Sequence, residues 1–234
     1  MDFFFFSTSK IPPKITAALI YLFNLGSGFG TNHRRVKDKH SSLFASTNTI
    51  LPAMRIVAVA AMSLNGLITR GSEPGAAFTS DADKAWFARA MQSFPIKVMG
   101  INTFEASQEM ILRLVQKQPE QLRFVLTNRP TEFLKLNLPG RLEFMKATPE
   151  EVIEKIEERG RADEPIAIMG GSRVYSGFLQ VGLLDELWIT LEPQLFSSGT
   201  PLLQEACLEH LELRETEQLS PSTLLLKYKA GLKS

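Results

Sequence analysis

The sequence predicts an α/β fold: a three-layer sandwich on a mixed, mostly parallel sheet that closes with a C-terminal hairpin. Three observations carry this. From Met54 onward, strand-like apolar runs alternate with segments of helical period, the order that builds strand–helix–strand units. The run Arg55-Ile56-Val57-Ala58-Val59-Ala60-Ala61-Met62 is almost unbrokenly apolar, as a central strand covered on both faces must be. The tail from Leu208 to Tyr228 holds two alternating runs around Leu219-Ser220-Pro221-Ser222, a hairpin signal.

The elements follow in order. Ser63-Leu64-Asn65-Gly66 supplies a turn after the first strand, and Arg70 to Pro74 reads as a loop. Ser80 can cap a helix over Asp81 to Met91, with Asp81 and Asp83 in the first turn where the dipole favours negative charge. Trp86, Phe87 and Ala90 give that helix its inward face. Ile96 to Gly100 is a second short strand. Asn102-Thr103 opens a further helix, whose apolar stripe is Phe104, Met110, Ile111, Leu114 and Val115. Arg123 to Thr127 is the next strand, closed by Asn128-Arg129-Pro130. Thr148-Pro149-Glu150-Glu151 starts a helix with a cap, a proline at the first helical position and a capping box. Val152, Ile153 and Ile156 face inward, and Gly160 ends the helix. Pro165 to Ser172 runs strand, diglycine, helix, and Val174, Phe178 and Leu179 form the buried stripe of that helix. Asp185 to Glu192 is another strand.

The 234 residues suit one large domain or two small ones. With 26 Lys/Arg against 25 Asp/Glu, no global basic field exists to hold nucleic acid by counterion release, and no nucleic-acid partner is expected. The lone Cys207 excludes an internal disulfide and any multi-cysteine metal site, and no metal is expected. The three histidines are His33, His40 and His210. His210 falls on an expected edge strand, remote from any nucleophile, so a Ser–His–Asp arrangement has little support. Asp185-Glu186 and the run Glu154, Glu157, Glu158 read as solvated element ends rather than metal ligands.

The chain divides at Met54. Residues 1–53 hold 6 Lys/Arg against 2 Asp/Glu, whereas residues 54–234 carry a net charge of −3. The apolar stretch Ile15 to Leu25 is eleven residues long, and a bilayer span needs roughly twenty. Three readings of residues 1–53 stay open: an organelle-targeting leader, a secretory or membrane anchor, and a poorly structured extension that need not be translated. Gly26, Gly28 and Gly30 lack the strand-before, helix-after setting of a dinucleotide loop. No membrane is expected for residues 54–234. A cytoplasmic location is expected, or an organelle if the first segment is a leader.

Two strand-to-helix junctions can carry chemistry. At Gly100-Ile101-Asn102-Thr103, and again at Met169-Gly170-Gly171-Ser172-Arg173, glycine ends a strand and polar groups open a helix. Helix N-termini offer backbone N–H groups and a favourable dipole to an anion. Glycine permits close approach and positive φ. Two such junctions in one mostly parallel sheet suit the phosphates of a dinucleotide, although a diglycine is also a common turn. Arg129, beside Thr127 and Asn128, suits a phosphate monoester such as the 2′-phosphate of NADP, or is a solvated loop arginine. Asp83, three residues before Trp86, could bind an amide-bearing ring or relay a proton to it, or could serve only the helix dipole. Trp86, Tyr175 and Trp188 read as core or cleft walls.

Several segments together resemble a known superfamily. They are Arg55 to Ala58 with Ser63-Leu64-Asn65-Gly66; Val98-Met99-Gly100-Ile101-Asn102-Thr103-Phe104-Glu105; Ile168-Met169-Gly170-Gly171-Ser172-Arg173-Val174-Tyr175; Gly182-Leu183-Leu184-Asp185-Glu186-Leu187; and Gly199-Thr200-Pro201-Leu202-Leu203. In this order they resemble the dihydrofolate reductase superfamily, most closely the C-terminal reductase domain of the bifunctional riboflavin-biosynthesis deaminase–reductase. The resemblance covers nearly all of residues 54–230 and includes no deaminase motif.

The resemblance implies an eight-stranded mixed sheet, NADPH as cofactor and hydride transfer to a small heterocyclic substrate of the 5-amino-6-(5-phosphoribosylamino)uracil type. By position, Ala61 and Ile68 would flank the nicotinamide, under the loop Ser63 to Gly66. Thr103 would open the helix that receives a cofactor phosphate. Thr127, Asn128 and Arg129 would take the adenosine 2′-phosphate. Gly170, Gly171, Ser172, Arg173 and Val174 would hold the pyrophosphate, with Tyr175 near the nicotinamide. Asp83 falls where folate-reducing members place their catalytic carboxylate. Two departures stand out: riboflavin-pathway members usually have Glu-Gly-Gly at Met169-Gly170-Gly171, and an Asp-x-Pro…Arg segment where this chain has Ala106 to Leu112. Dihydrofolate reduction, an orphan NADPH reductase and a silent NADPH-binding module are therefore the alternatives. Branch members are often dimers, and the resemblance carries over that expectation of a homodimer.

Overall fold

Eight strands form one sheet in the order β4-β3-β2-β5-β1-β6-β8-β7. This computed structural model describes residues 54–204 and 210–230. The segment 1–53, with its three readings, and Cys207 lie outside the described residues. The strands are β1 (Ile56–Ser63), β2 (Ile96–Gly100), β3 (Leu122–Leu126), β4 (Leu142–Met145), β5 (Ile166–Ile168), β6 (Glu186–Glu192), β7 (Glu212–Gln218) and β8 (Leu224–Lys229). From β4 across to β6 every pairing is parallel, and β8 and β7 complete the sheet antiparallel. The α/β class, the mixed sheet and the closing hairpin are as the sequence predicts.

All but one of the parallel crossovers carry α-helices: α1 (Asp81–Ala90) after β1; α2 (Ile101–Ala106) and α3 (Gln108–Lys117) after β2; α4 (Pro149–Glu157) after β4; and α5 (Ser172–Gln180) after β5; the link from β3 to β4 holds only the short 3-10 turn Pro130–Phe133. Period-two alternation sorts the strand side chains onto two faces. Ile56, Ala58, Ile96, Val98, Ile166 and Ile168 pack with Ile153 and Ile156 of α4 and Phe178 of α5. On the opposite face Val57 and Val59 meet Trp86 of α1, Trp188 and Phe94. Met99 and Val125 there meet Phe104 of α2 and Ile111 and Val115 of α3. Three layers result because the central strands are apolar on both faces and need cover on both.

Local signals explain the helix starts. Ser80 Oγ accepts from the N–H of Asp83, and Thr148 and Glu151 form the reciprocal capping box. Three expectations need correction. The helix expected from Asn102 through Val115 breaks at Ser107, whose φ of −131° is not helical, so α2 and α3 are separate. Met110, expected in its apolar stripe, is exposed, because the stripe of α3 rests on Ile111 and Val115 one turn apart. His210 precedes β7 and is not on a strand. Strand β4 has no counterpart in the sequence reading, since four residues with only Leu142 and Phe144 buried give too short an alternation to register.

Two loops at the carboxyl edge of the sheet are sewn together. Ile68 N–H donates to the Thr200 carbonyl at 2.8 Å, and Gly71 N–H to the Ser198 carbonyl at 2.8 Å. Gly199 lies between these bonds, and a Cβ there would collide with the Thr69 carbonyl. Gly199→Ala is therefore expected to destabilise the protein by about 1–3 kcal/mol through overpacking. A thermal melt checks this, and an unchanged midpoint refutes it.

Candidate functional site

A run of chain reversals lines the carboxyl edge of the parallel strands, the side on which open α/β sheets bind ligands. At its centre the two glycine junctions meet. Gly100 N–H donates to the Gly170 carbonyl at 2.7 Å. A Cβ on Gly100 would stand 3.2 Å from Val174 and 3.3 Å from the Gly171 nitrogen. Gly170 has φ +114°, and a Cβ there would stand 3.2 Å from both Thr103 Oγ1 and Tyr175 Oη. The two corners thus pack directly against each other, and a side chain on either glycine would crowd that contact. The peptide bond between Gly170 and Gly171 is cis.

Below the corner, Tyr175 is buried and donates its phenol to the Val59 carbonyl at 2.6 Å. Burial pushes that phenol above its ordinary pKa. At the first position of α5, Ser172 is buried and its Oγ has no hydrogen-bond partner among the described residues. Buried hydroxyls are normally paired. The orphaned group sits beside first-turn N–H groups that have no intrahelical acceptor. Arg173 is exposed, with Nε 3.0 Å from Gln204 Oε1.

Thr127 is buried at the end of β3 and accepts the Arg129 N–H at 3.1 Å. Asn128 and Arg129 are exposed, and Arg129 pairs with Glu132 at 2.9 Å. At the end of β1, Ala61 is half-buried, and half-buried Ile68 is held by Thr200. Ser63 Oγ donates to Asn65 Oδ1 at 2.9 Å and shapes the turn.

Asp83 comes to the same edge from α1. It is 6% exposed, and Thr190 of β6 donates to its Oδ1 at 2.6 Å. Burial pushes its carboxyl above the ordinary value; hydrogen bonds from Thr190 and Thr79 pull it down, Glu192 pushes it up, and Lys84 pulls it down. A partly desolvated carboxyl of this kind suits proton transfer. Reading along the edge gives Thr127 just past β3, Gly100 ending β2, Gly170 just past β5, Ala61 on β1, and Thr190 on β6 holding Asp83 of α1. Four strand spacings separate the ends, about 19 Å. Among the described residues no group of His, Cys, Asp and Glu could hold a metal ion, and no helix is long and apolar enough to cross a membrane.

The sequence reading did not single out Thr190 or Glu192. The available signal was polar residues at alternate positions of an otherwise apolar strand, which demand buried partners.

The fold recurs in solved structures. A pyrimidine reductase-like protein of Corynebacterium diphtheriae superposes with a TM-score of 0.59 at 17% identity, over 80% of this chain and 95% of that one. A diaminohydroxyphosphoribosylaminopyrimidine deaminase/5-amino-6-(5-phosphoribosylamino)uracil reductase of Thermotoga maritima gives 0.60 at 15%, over 76% of this chain and 57% of that one. Dihydrofolate reductase of Enterococcus faecalis, complexed with NADP(H), gives 0.51 at 18%, over 75% and 96%. No curated protein matches the sequence significantly. The sequence profile of the RibD C-terminal domain matches residues 55–225, from the first residues before β1 into β8. A match of that extent, on a sheet of the same kind, makes the chain a member of the RibD C-terminal domain family.

Proposed function

We propose that the chain is an NADPH-dependent reductase that passes hydride to a small heterocyclic substrate of the 5-amino-6-(5-phosphoribosylamino)uracil type. The observation that carries this reading is the abutment of Gly100 and Gly170. Their missing side chains let the two corners close on each other at the N-terminus of α5, and the orphaned Ser172 hydroxyl supplies a further donor there. A dinucleotide pyrophosphate fits that chemistry. Gly170, Gly171, Ser172, Arg173 and Val174 would hold it, with Gly100 and Thr103 opposite. Thr127, Asn128 and Arg129 would take the 2′-phosphate once Arg129 exchanges Glu132 for the stronger anion. Ala61 and Ile68 would border the nicotinamide, near the Tyr175 that props the corner.

Bound there, NADPH supplies the hydride. The chain's own residues hold donor and acceptor rings together, which removes the entropy cost of their meeting. The loop Ser63 to Gly66 screens the ring from water. Asp83 would face the acceptor and deliver a proton to it, while Thr190 holds its Oδ1.

The Asp83–Thr190 pair favours a second reading, reduction of a pterin such as dihydrofolate, in which the same acid protonates a ring nitrogen. NADPH oxidation, followed by absorbance against the ribosylamino-pyrimidine and dihydrofolate, separates the two. Binding of NADPH without turnover of either substrate or of a carbonyl panel would leave a silent binding module. Arg129→Ala is expected to lower the preference for NADPH over NADH by about tenfold or more, the loss of one charge-assisted contact. An unchanged preference would place the 2′-phosphate elsewhere.

A further inference from the structure

Glu192 is the most deeply buried carboxylate among the described residues, at 1% exposure on β6 in the parallel part of the sheet. A buried carboxylate costs several kcal/mol unless it is well hydrogen-bonded. One oxygen is spent on the start of α1 and the other on Thr223, just before β8. Oε1 accepts from Ser80 N–H at 3.1 Å and from Ser80 Oγ at 2.9 Å, and Thr223 Oγ1 lies 3.4 Å from Oε2. With its proton given to Glu192, the Ser80 hydroxyl turns a lone pair to the N–H of Asp83, 3.2 Å away. Two residues earlier on the same face of β6, Thr190 donates to Asp83 Oδ1. Strand β6 therefore grips one helical turn at two points, the cap residue Ser80 and Asp83 itself.

We infer that Glu192 is a positioning residue: from β6 it clamps the cap of α1, fixes Asp83 against Thr190 and sets a second buried carboxylate beside it. The inference rests on the proposal that Asp83 protonates the acceptor ring. A cap alone does not call for it, because Ser80 caps α1 through its own oxygen. The second charge has a chemical consequence. The groups that act on Asp83 are Glu192 and Thr190 from β6, Thr79 from the preceding loop, and Lys84 from α1, an exposed side chain shared with Asp81 at 3.5 Å. Glu192 is the only one of the two charged groups that is buried, so its repulsion is screened least and adds to the burial that raises the Asp83 carboxyl, against the hydrogen bonds from Thr190 and Thr79.

Glu192→Gln isolates the charge. Its amide oxygen still accepts from Ser80 in a side chain of the same shape. Activity that needs the Asp83 proton falls as pH rises through the Asp83 pKa, and removing the neighbouring charge lowers that pKa. The alkaline limb of the rate–pH profile is therefore expected at lower pH, so that on it the variant is slower by about twofold or more relative to its own acid plateau. The Asp83 carboxyl titration, followed by carbon-13 NMR, should move the same way. An unmoved NMR titration overturns the inference. Full turnover by Asp83→Asn overturns instead the role of Asp83, and leaves the NMR result to judge Glu192 alone. Should the glutamine variant not fold, Glu192→Asp decides: its shorter side chain draws the carboxylate back from Ser80, so the Asp83 titration should move down, and an unmoved titration overturns the inference.

Discussion

Asp83→Asn is expected to lower turnover by about a hundredfold or more and, at neutral pH, to raise the melting temperature. The two effects share one cause. A general acid in place contributes about 10²–10⁴ in rate, and asparagine has no proton to give. The amide keeps the Oδ1 acceptor that Thr190 holds at 2.6 Å, so the geometry survives. The stability gain follows from the sign of the pKa change. Burial raises the Asp83 carboxyl above its ordinary value of 3.8 in the folded protein. Its contribution to stability is thus fully present below the unfolded pKa and is lost as pH rises through the folded value. At neutral pH the buried charge is a burden that the neutral amide removes, by about 0.5–2 kcal/mol. For a domain of this size that is about 2–4 °C per kcal/mol. Melts at neutral pH and below the ordinary aspartate range check the point, since the gap should close at the acid end. A variant with full turnover, or one less stable at neutral pH, would contradict the assignment.

The same residues show how far the sequence reached. Both glycine corners were legible because each is a local pattern, a strand closing on glycine before a helix cap. The capping box at Thr148 and the cap at Ser80 were legible for the same reason. What brings the corners together is that β2 lies beside β5, although β3, β4 and three α-helices separate them along the chain. No local pattern encodes that adjacency. Thr190 and Glu192 were hidden more deeply. Their partners Asp83 and Ser80 lie 107 and 112 residues away, so each polar residue looked like an ordinary interruption of a strand. The break at Ser107 was missed because apolar spacing continues across it, from Phe104 to Ile111, at an interval that a straight helix also allows. In physical terms, propensity and capping act within about a turn, whereas the chemistry of this edge depends on strand order.

The second large effect lies at the opposite end of the sheet. Lys97 and Arg123 are paired in register on β2 and β3, and both are buried. Their hydrogen-bond acceptors are neutral. Lys97 Nζ donates to the Phe94 carbonyl at 2.6 Å and to Gln121 Oε1 at 2.7 Å, while Arg123 donates to Gln118 and Gln121. Burial, with Arg123 beside it, lowers the Lys97 ammonium to about 7, and Glu120 opposes this. Between that value and the ordinary 10.5 the unfolded chain binds a proton that the folded protein does not. Stability therefore rises with pH across this window, toward a limit of several kcal/mol in the linkage relation. Other groups titrate there too, so Lys97→Met is the control. The substitution also strips a donor from the Phe94 carbonyl, which costs about 1–3 kcal/mol at every pH. That constant shifts the whole curve and leaves its slope alone. Urea unfolding at pH 7 and pH 10 should show wild-type stability gaining on the methionine variant by more than 1 kcal/mol as the pH rises. Parallel curves would mean that Lys97 stays charged inside the fold, held by Phe94 and Gln121 strongly enough to outweigh its burial.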